Sequence, residues 1–382
     1  MSEPVTDDIR DIPPSPSEGD RVVVAMSGGV DSCVAAGLLA RQGFDVIGIT
    51  MQLWPADLPR NHISGCCSLS AVEDARRAAH RIGIPHYVVN LREAFDRDVI
   101  QDFVDEYARG RTPNPCVRCN RYIKFDAFLD RALALDARFI ATGHYARVDR
   151  DAATGRCRLL RSADPNKDQT YALYPLTQDQ LARTLFPLGG LVKERTREIA
   201  AAMGLATATK PDSQEICFVP DNDYAGFLSK RAPESMRRGK IVDASGNVLG
   251  EHAGVARYTI GQRKRIGARS PVPLYVNEIR ADTNEVVVGS NDDLLSASMI
   301  AGDFNWIHPR TRGVLAVEAK VRYTMRATPA RLRALDGDDV EVTFDEPQRA
   351  VTPGQSVVCY QGDEVVGGGI IRYSKKGCVD HG

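Results

Sequence analysis

The sequence predicts an α/β domain, a parallel sheet with helices on both faces, followed by two small β-rich domains, the last a β-barrel. Three observations predict it. Short β-branched runs alternate with helical stretches through the first half, the grammar of strand–helix–strand units. Near residue 215 that alternation gives way to short runs between turn signals. The composition, 43% apolar and 26% charged over 382 residues, is that of a folded chain with two or three cores.

Element by element, residues 1–20 hold six acids, one arginine and four prolines, too little apolar surface to offset the entropy of ordering, so a disordered tail is expected. Residues 21–26 (RVVVAM) read as a strand, 27–31 as a Gly-rich turn and 32–41 as a helix. Strands follow at 44–53, 87–90 and 138–142, with helices at 70–82, opened by a Ser70-x-x-Glu73 capping box, and at 92–109. Beyond 215 clear helices disappear. Turn signals at 243–247 and 281–284 separate strand-like runs, and 315–323 (LAVEAKVRY) alternates, with Leu315, Val317, Ala319, Val321 and Tyr323 on one face. Runs at 340–344, 355–360 and 365–373 complete the terminal barrel. The expected parts are a tail at 1–20, a catalytic domain at 21–219, a central domain at 220–294 and a last domain at 295–382.

Charge and cysteine usage narrow the class. No run of 18 apolar residues occurs, and the start lacks a basic-then-apolar leader. Nine cysteines in such a chain point to reduced thiols in a cytoplasm, and no membrane or DNA partner is expected. The net charge is −1, yet residues 231–270 hold nine Lys/Arg against three Asp/Glu, and 310–333 seven against one. Those stretches suit a polyanion.

The chemistry starts at Ser27-Gly-Gly-Val-Asp-Ser32. A Gly-rich loop between a strand and a helix offers backbone N–H groups and a positive helix end to an anion, and phosphate is the natural guest. A lone Asp31 would repel phosphate unless it worked through Mg²⁺. Without Gly-Lys-Ser/Thr the loop is not of Walker type. Read by itself, the turn serves equally as a glycine bend kept for packing.

Further stretches are TPNPCVRCN at 112–120, ATGHY at 141–145, NKDQ at 166–169, DSQEICF at 212–218, YTIGQR at 258–263 and TPGQ at 352–355. Taken with SGGVDS, they make the chain resemble the bacterial tRNA-specific 2-thiouridylase family over residues 21–373, a branch of the pyrophosphatase-loop, adenine-nucleotide α-hydrolase-like enzymes. The resemblance implies ATP-dependent 2-thiolation of the wobble uridine of tRNA. Adenylation turns the uracil C2 oxygen, a hopeless leaving group, into AMP, and sulfur then attacks C2. It also implies phosphate binding by Ala25, Met26, Ser27, Gly28, Gly29, Val30, Asp31 and Ser32, with Met51 and Gly143 beside the adenosine. Asn114, Pro115 and Cys116 would line the target base. His144, Lys167, Asp168, Gln169, Arg322, Tyr323 and Gln355 would touch tRNA, with Arg322 on the polar face of its strand.

The same resemblance makes Cys119 the nucleophile and Cys217 the thiol that receives sulfur from a donor protein as a persulfide, leaving a disulfide between the two. Arg118 and a helix starting at Asn120 would both lower the Cys119 pKa. Cys217, between Ile216 and Phe218, reads by itself as a buried structural thiol. Where many family members carry Asp, this chain has Cys116. Cys116, Cys119 and Cys217 then match a three-cysteine set for a [4Fe–4S] cluster whose open iron would hold hydrosulfide. Cluster and persulfide relay both stand, the ligand count and the missing acid favouring the cluster. Cys66 and Cys67 read as bystanders. Two other functions also stand: an adenylating amidotransferase or ligase acting on a small molecule, and a non-enzymatic RNA-binding module.

Overall fold

The computed structural model describes residues 16–54, 69–210, 216–219, 223–268, 270–311 and 313–376. Cys66, Cys67, Cys378 and most of the acidic tail lie outside them. The chain divides into two compact units, one of Met1–Asp96, Val117–Phe218 and Asp363–Val365, the other of Arg97–Cys116, Val219–Gly362 and Val366–Gly382.

The first unit is built on a five-stranded parallel sheet. Its strands are β1 (Arg21–Ala25), β2 (Asp45–Gln52), β3 (His86–Asn90), β4 (Phe139–Ala141) and, after an antiparallel hairpin of β5 (Arg147–Arg150) and β6 (Cys157–Leu160), β7 (Thr184–Leu185). They lie in the order β3-β2-β1-β4-β7. The near-continuous apolar run of β1 fits a strand covered on both faces. Val22 and Val24 pack into a core with α1 (Val30–Arg41), α2 (Leu69–Ile82) and the later helix α7 (Lys193–Ala202). Val23 alternates to the opposite face and is fully buried there. Sequence order reverses on either side of β1, so the carboxyl ends of β1 and β4 border a topological switch point, where open α/β sheets bind ligands.

Several expectations need correction. α1 begins at Val30, two residues earlier than read, because Gly29 in extended conformation (φ −88°, ψ 162°) acts as its cap. α2 already includes Leu69, so Ser70 lies in its first turn instead of capping it. The stretch after β3, α3, runs through Arg92–Phe95, Asp96–Ile100 and Gln101–Ala108, the middle piece in π conformation. The largest shift concerns α4, continuous through Pro115–Arg118, Cys119–Ala127 and Phe128–Leu133. Proline suits the first helical position because its fixed φ is already helical and it lacks an N–H that would be unsatisfied there. Pro115 therefore opens a helix where Asn120 was expected to. Two short helices, α5 (Thr170–Leu173) and α6 (Gln178–Ala182), precede α7.

Helices do not disappear beyond 215: α8 (Tyr224–Arg231) is capped by the Asp223 carboxylate, which accepts from Gly226 N–H at 2.8 Å. In the second unit, β8 (Gly239–Val242), β9 (Val248–His252), β10 (Tyr275–Arg280) and β11 (Glu285–Gly289) form a sheet in the order β10-β11-β8-β9, the expected turns at 243–247 and 281–284 joining its hairpins. The remaining strands are β12 (Leu295–Trp306), β13 (Val314–Lys320), β14 (Thr328–Ala334), β15 (Val340–Arg349), β16 (Ser356–Gln361) and β17 (Glu364–Lys376). Pairing of β12 with both β15 and β17 closes six strands into the expected barrel. Val317, Ala319 and Val321 fill its core as the alternation required. Tyr323 breaks that pattern, since β13 ends at Lys320 and Tyr323 stands 44% exposed in the turn that follows.

Candidate active site

At the end of β1 the chain must turn sharply into α1. Gly28 has φ +70°, and a Cβ there would lie 2.1 Å from the Ala71 carbonyl oxygen of α2. No other residue fits. Ser27 N–H donates to Ser32 Oγ at 3.1 Å, and Ser32 Oγ donates to Gly29 O at 3.2 Å, which fastens the loop across its mouth. No side chain caps the start of α1. Its first N–H groups and helix dipole therefore face the loop, with Asp31 the one acidic side chain of that first turn. Gly143, after β4, comes so close that a Cβ would lie 2.6 Å from Ser32 N. Thr50 Oγ1 donates to Met26 O at 2.7 Å, placing Met51 beside the loop at the end of β2. The expected phosphate segment, Gly143 and Met51 are thus brought together. Ala25, Met26 and Val30 bury their side chains and present only backbone.

The charge problem posed by Asp31 has a local answer. Lys193 Nζ, at the first position of α7, donates to both Asp31 carboxylate oxygens at 2.7 and 2.8 Å, and Tyr145 Oη donates to Oδ1 at 2.8 Å. Lys193 is only 7% exposed at its side chain. Asp164 accepts from Lys193 N–H at 3.0 Å and caps that helix start. A second lysine, Lys210, donates to Gly28 O at 3.1 Å and to Asp74 Oδ2 at 2.9 Å. Burial works to raise the Asp74 carboxyl, but hydrogen bonds from Lys210 and Arg77 more than offset it and hold it below the usual range. Sequence reasoning missed Lys193, Lys210 and Tyr145. One signal was available: a lysine in the first turn of a helix opposes the dipole and needs a partner.

Beside this loop, His144 Nδ1 lies 2.7 Å from Thr142 Oγ1, with the rings of Phe125 and Phe186 about it. Burial, helped by Lys124, pushes its imidazole well below the ordinary histidine range, so it is neutral near pH 7. Asp168 is buried, accepting from Ser162 N–H at 3.1 Å and Thr170 Oγ1 at 2.7 Å. Gln169 Oε1 accepts from Tyr145 N–H at 2.9 Å. These two side chains brace the 162–170 loop, with Lys167 half-buried in it.

The sulfur-bearing residues fall as follows. Cys116 is exposed in the first turn of α4, and Cys119, one turn on, is buried. Cys119 therefore lies inside a helix and not at the helix start that was expected beside it. Arg118 donates to Tyr122 Oη at 3.3 Å. Cys217 is half-buried, not the fully buried thiol its neighbours suggested. Cys33, Cys116, Cys119, Cys157, Cys217 and Cys359 are free thiols, so the expected disulfide between Cys119 and Cys217 is not formed. Burial pushes Cys33 up to about 11 and Cys359 up to about 12, which makes both inert. Among the described residues no three Cys, His, Asp or Glu side chains gather closely enough to hold a metal.

In the second unit, Arg322 lies past the end of β13 instead of on its polar face. Its Nη2 donates to Ala350 O at 2.8 Å and Thr352 Oγ1 at 3.0 Å. Gln355 Nε2 donates to Thr112 O at 2.9 Å and Pro113 O at 3.2 Å. Asn114 is half-buried and Pro115 buried.

Comparison with known proteins gives a consistent result. A model described as the tRNA methyl transferase HUP domain matches residues 20–221, a tRNA methyl transferase PRC-barrel domain matches 225–290, and an aminomethyltransferase beta-barrel domain matches 296–371. The tRNA-specific 2-thiouridylase MnmA of Heliobacterium modesticaldum is 54% identical over 355 residues, 92% of either chain. That of Clostridioides difficile is 52% identical over 93% of this chain and 98% of its own, and that of Carboxydothermus hydrogenoformans 52% over 92% and 97%.

Proposed function

This chain belongs to the tRNA-specific 2-thiouridylase family, and we propose from that premise that it converts the wobble uridine of tRNA to 2-thiouridine at the expense of ATP. The observation that carries the reading is the loop after β1, where a glycine no Cβ can replace, an uncapped helix start and a carboxylate already neutralised by Lys193 make a receptive place for phosphates. Mg²⁺ arrives with the nucleotide as part of the substrate. The uracil C2 oxygen attacks the α-phosphorus, the bond to the β-phosphate oxygen breaks, and pyrophosphate leaves. A sulfur nucleophile then attacks C2 and expels AMP.

Pairing of Asp31 with Lys193 keeps the loop near neutral, so the charge developing on pyrophosphate meets N–H donors instead of a bare carboxylate. Met51 and Gly143 are assigned to the adenosine, and Asn114 and Pro115 to the target base. His144, neutral in its aromatic setting, enters as a hydrogen-bonding group. Lys167 and Tyr323, with the basic stretches 231–270 and 310–333, are assigned to tRNA, where wide positive surface offsets backbone phosphate. Taking the base out of its stack brings C2 to the nucleotide. In this division 21–219 holds the nucleotide chemistry, and 220–294 and 295–382 hold RNA.

Sulfur transfer is assigned to Cys217 as carrier, which takes sulfane sulfur from a persulfide donor by thiol exchange, and to Cys119 as nucleophile. Attack of Cys119 on Cys217 Sγ breaks the persulfide S–S bond, frees the sulfur for C2 and leaves a Cys119–Cys217 disulfide for a thiol reductant to reopen. A [4Fe–4S] cluster on Cys116, Cys119 and Cys217 is the second reading; among the described residues no three Cys, His, Asp or Glu side chains gather closely enough to hold a metal. Oxygen-free purification tests that choice: iron and acid-labile sulfide bound in proportion to protein, and lost with Cys116→Asp, would restore the cluster. Among the described residues no helix is long and apolar enough to cross a membrane. The reading as a whole is tested by AMP and pyrophosphate release with and without tRNA. Release that depends on tRNA is expected. Release driven by a small amine or acid in its absence would point to a ligase, and no release at all to an RNA-binding module.

A further inference from the structure

We infer that Arg322 and Gln355 are positioning residues, which hold the Cys116 end of α4 in place through the loop between β15 and β16. The contacts form one chain within the second unit. Arg322 Nη2 holds Ala350 O and Thr352 Oγ1, and Thr352 Oγ1 donates back to Ala350 O at 2.8 Å. Ala350 sits at φ +53°, a conformation a non-glycine residue keeps only when its surroundings hold it there. The loop is also tied to β17: Gly354 N–H donates to Ile371 O at 2.9 Å, and Ile371 N–H donates to Gln355 O at 2.8 Å.

From that fixed loop the chain before α4 is gripped at several points. Thr112 N–H donates to Pro353 O at 3.0 Å, and Gln355 Nε2 donates to the carbonyls of Thr112 and Pro113. Gly354, at φ +89°, comes so near that a Cβ would lie 3.0 Å from Thr112 N and O. The gripped segment is stiff already, because Pro113 and Pro115 fix their own φ and restrict the residues before them. With its carbonyls held too, little freedom is left to Asn114 or to exposed Cys116 one residue into the helix. A base-lining segment fixed in this way before substrate arrives needs no ordering afterwards. Residues far along the sequence thereby set where a thiol and a base-lining segment stand.

The assignment rests on the thiolation reading and departs from the expectation that Arg322 and Gln355 touch tRNA. Its test uses full-length protein carrying Gln355→Met, which keeps the length of the side chain and loses the donor, alongside Arg322→Lys. Hydrogen exchange at the Thr112 amide, tRNA affinity, and kcat and KM for 2-thiouridine formation are measured. For Gln355→Met, exchange at Thr112 is expected to quicken while peptides from β12 and β15 keep their protection. Its kcat should fall by about tenfold or more with tRNA affinity unchanged, as a misplaced target base requires. Arg322→Lys, which keeps a donor, should retain more of both than Arg322→Met. Weakened tRNA binding with unchanged kcat and unchanged Thr112 exchange would overturn the assignment. Wild-type protein that made no 2-thiouridine would defeat the thiolation reading alone, since the exchange measurement decides the positioning claim without it.

Discussion

At the scale of single residues, Lys193 decides whether a carboxylate can stand in a phosphate loop. Its partner Asp31 is 162 positions away, so the pair is invisible to local pattern, whereas SGGVDS is legible because strand, glycines and helix start are contiguous. Removing one member of a buried pair costs about 3–5 kcal/mol, and with Asp31 30% exposed roughly 2–3 kcal/mol is expected for Lys193→Met. The same variant should weaken ATP binding by about tenfold or more, since repulsion near a triphosphate returns. Adding Asp31→Asn should recover most of the stability, a coupling that a thermal-melt double-mutant cycle measures.

His144 supplies a second residue-scale test. Its folded form resists protonation, while the unfolded imidazole titrates near the ordinary 6.5. Below that pH the unfolded state binds the extra proton, so stability falls as pH drops and is level above it. His144→Gln should flatten that slope by up to one proton, read from denaturant midpoints between pH 5 and 7. An unchanged slope would show that His144 is not buried as neutral imidazole.

At the scale of elements, barrel strands were legible and helix starts less so. Alternation at 315–321 placed Val317, Ala319 and Val321 correctly because the period of a half-buried strand is two. It failed at Tyr323, where the chain has left the sheet. The start of α4 was missed because Pro-Asn-Pro reads as a breaker, although proline at a first helical position is compatible with the helix. α8 was missed because eight residues give too short a window for helical periodicity among turn signals. In the barrel core Leu332 on β14 is 1% exposed. Leu332→Ala should destabilise by about 2–5 kcal/mol through lost burial and the cavity left behind. Urea unfolding with a shifted midpoint and an unchanged slope is the expected result.

For the molecule as a whole, the split between an α/β part and β-rich parts was legible from the change in periodicity near 215, since each layer type imposes its own spacing. The assignment of residues 97–116 to the second unit was not, because it depends on contacts such as Gln355 with Thr112, 243 positions apart. Nor could spacing alone say whether three cysteines converge. The sequence supplied the thiols and the structure their separate settings: exposed, buried and half-buried. The central claim is that one chain couples splitting of ATP at its first loop to delivery of sulfur by Cys119 and Cys217. Its most direct test quantifies AMP and 2-thiouridine together, in wild-type protein and in Cys119→Ser and Cys217→Ser, with tRNA and a sulfur donor. Equal amounts of AMP and 2-thiouridine are expected from the wild type, with 2-thiouridine lost in both variants. Undiminished 2-thiouridine in either serine variant would contradict the account.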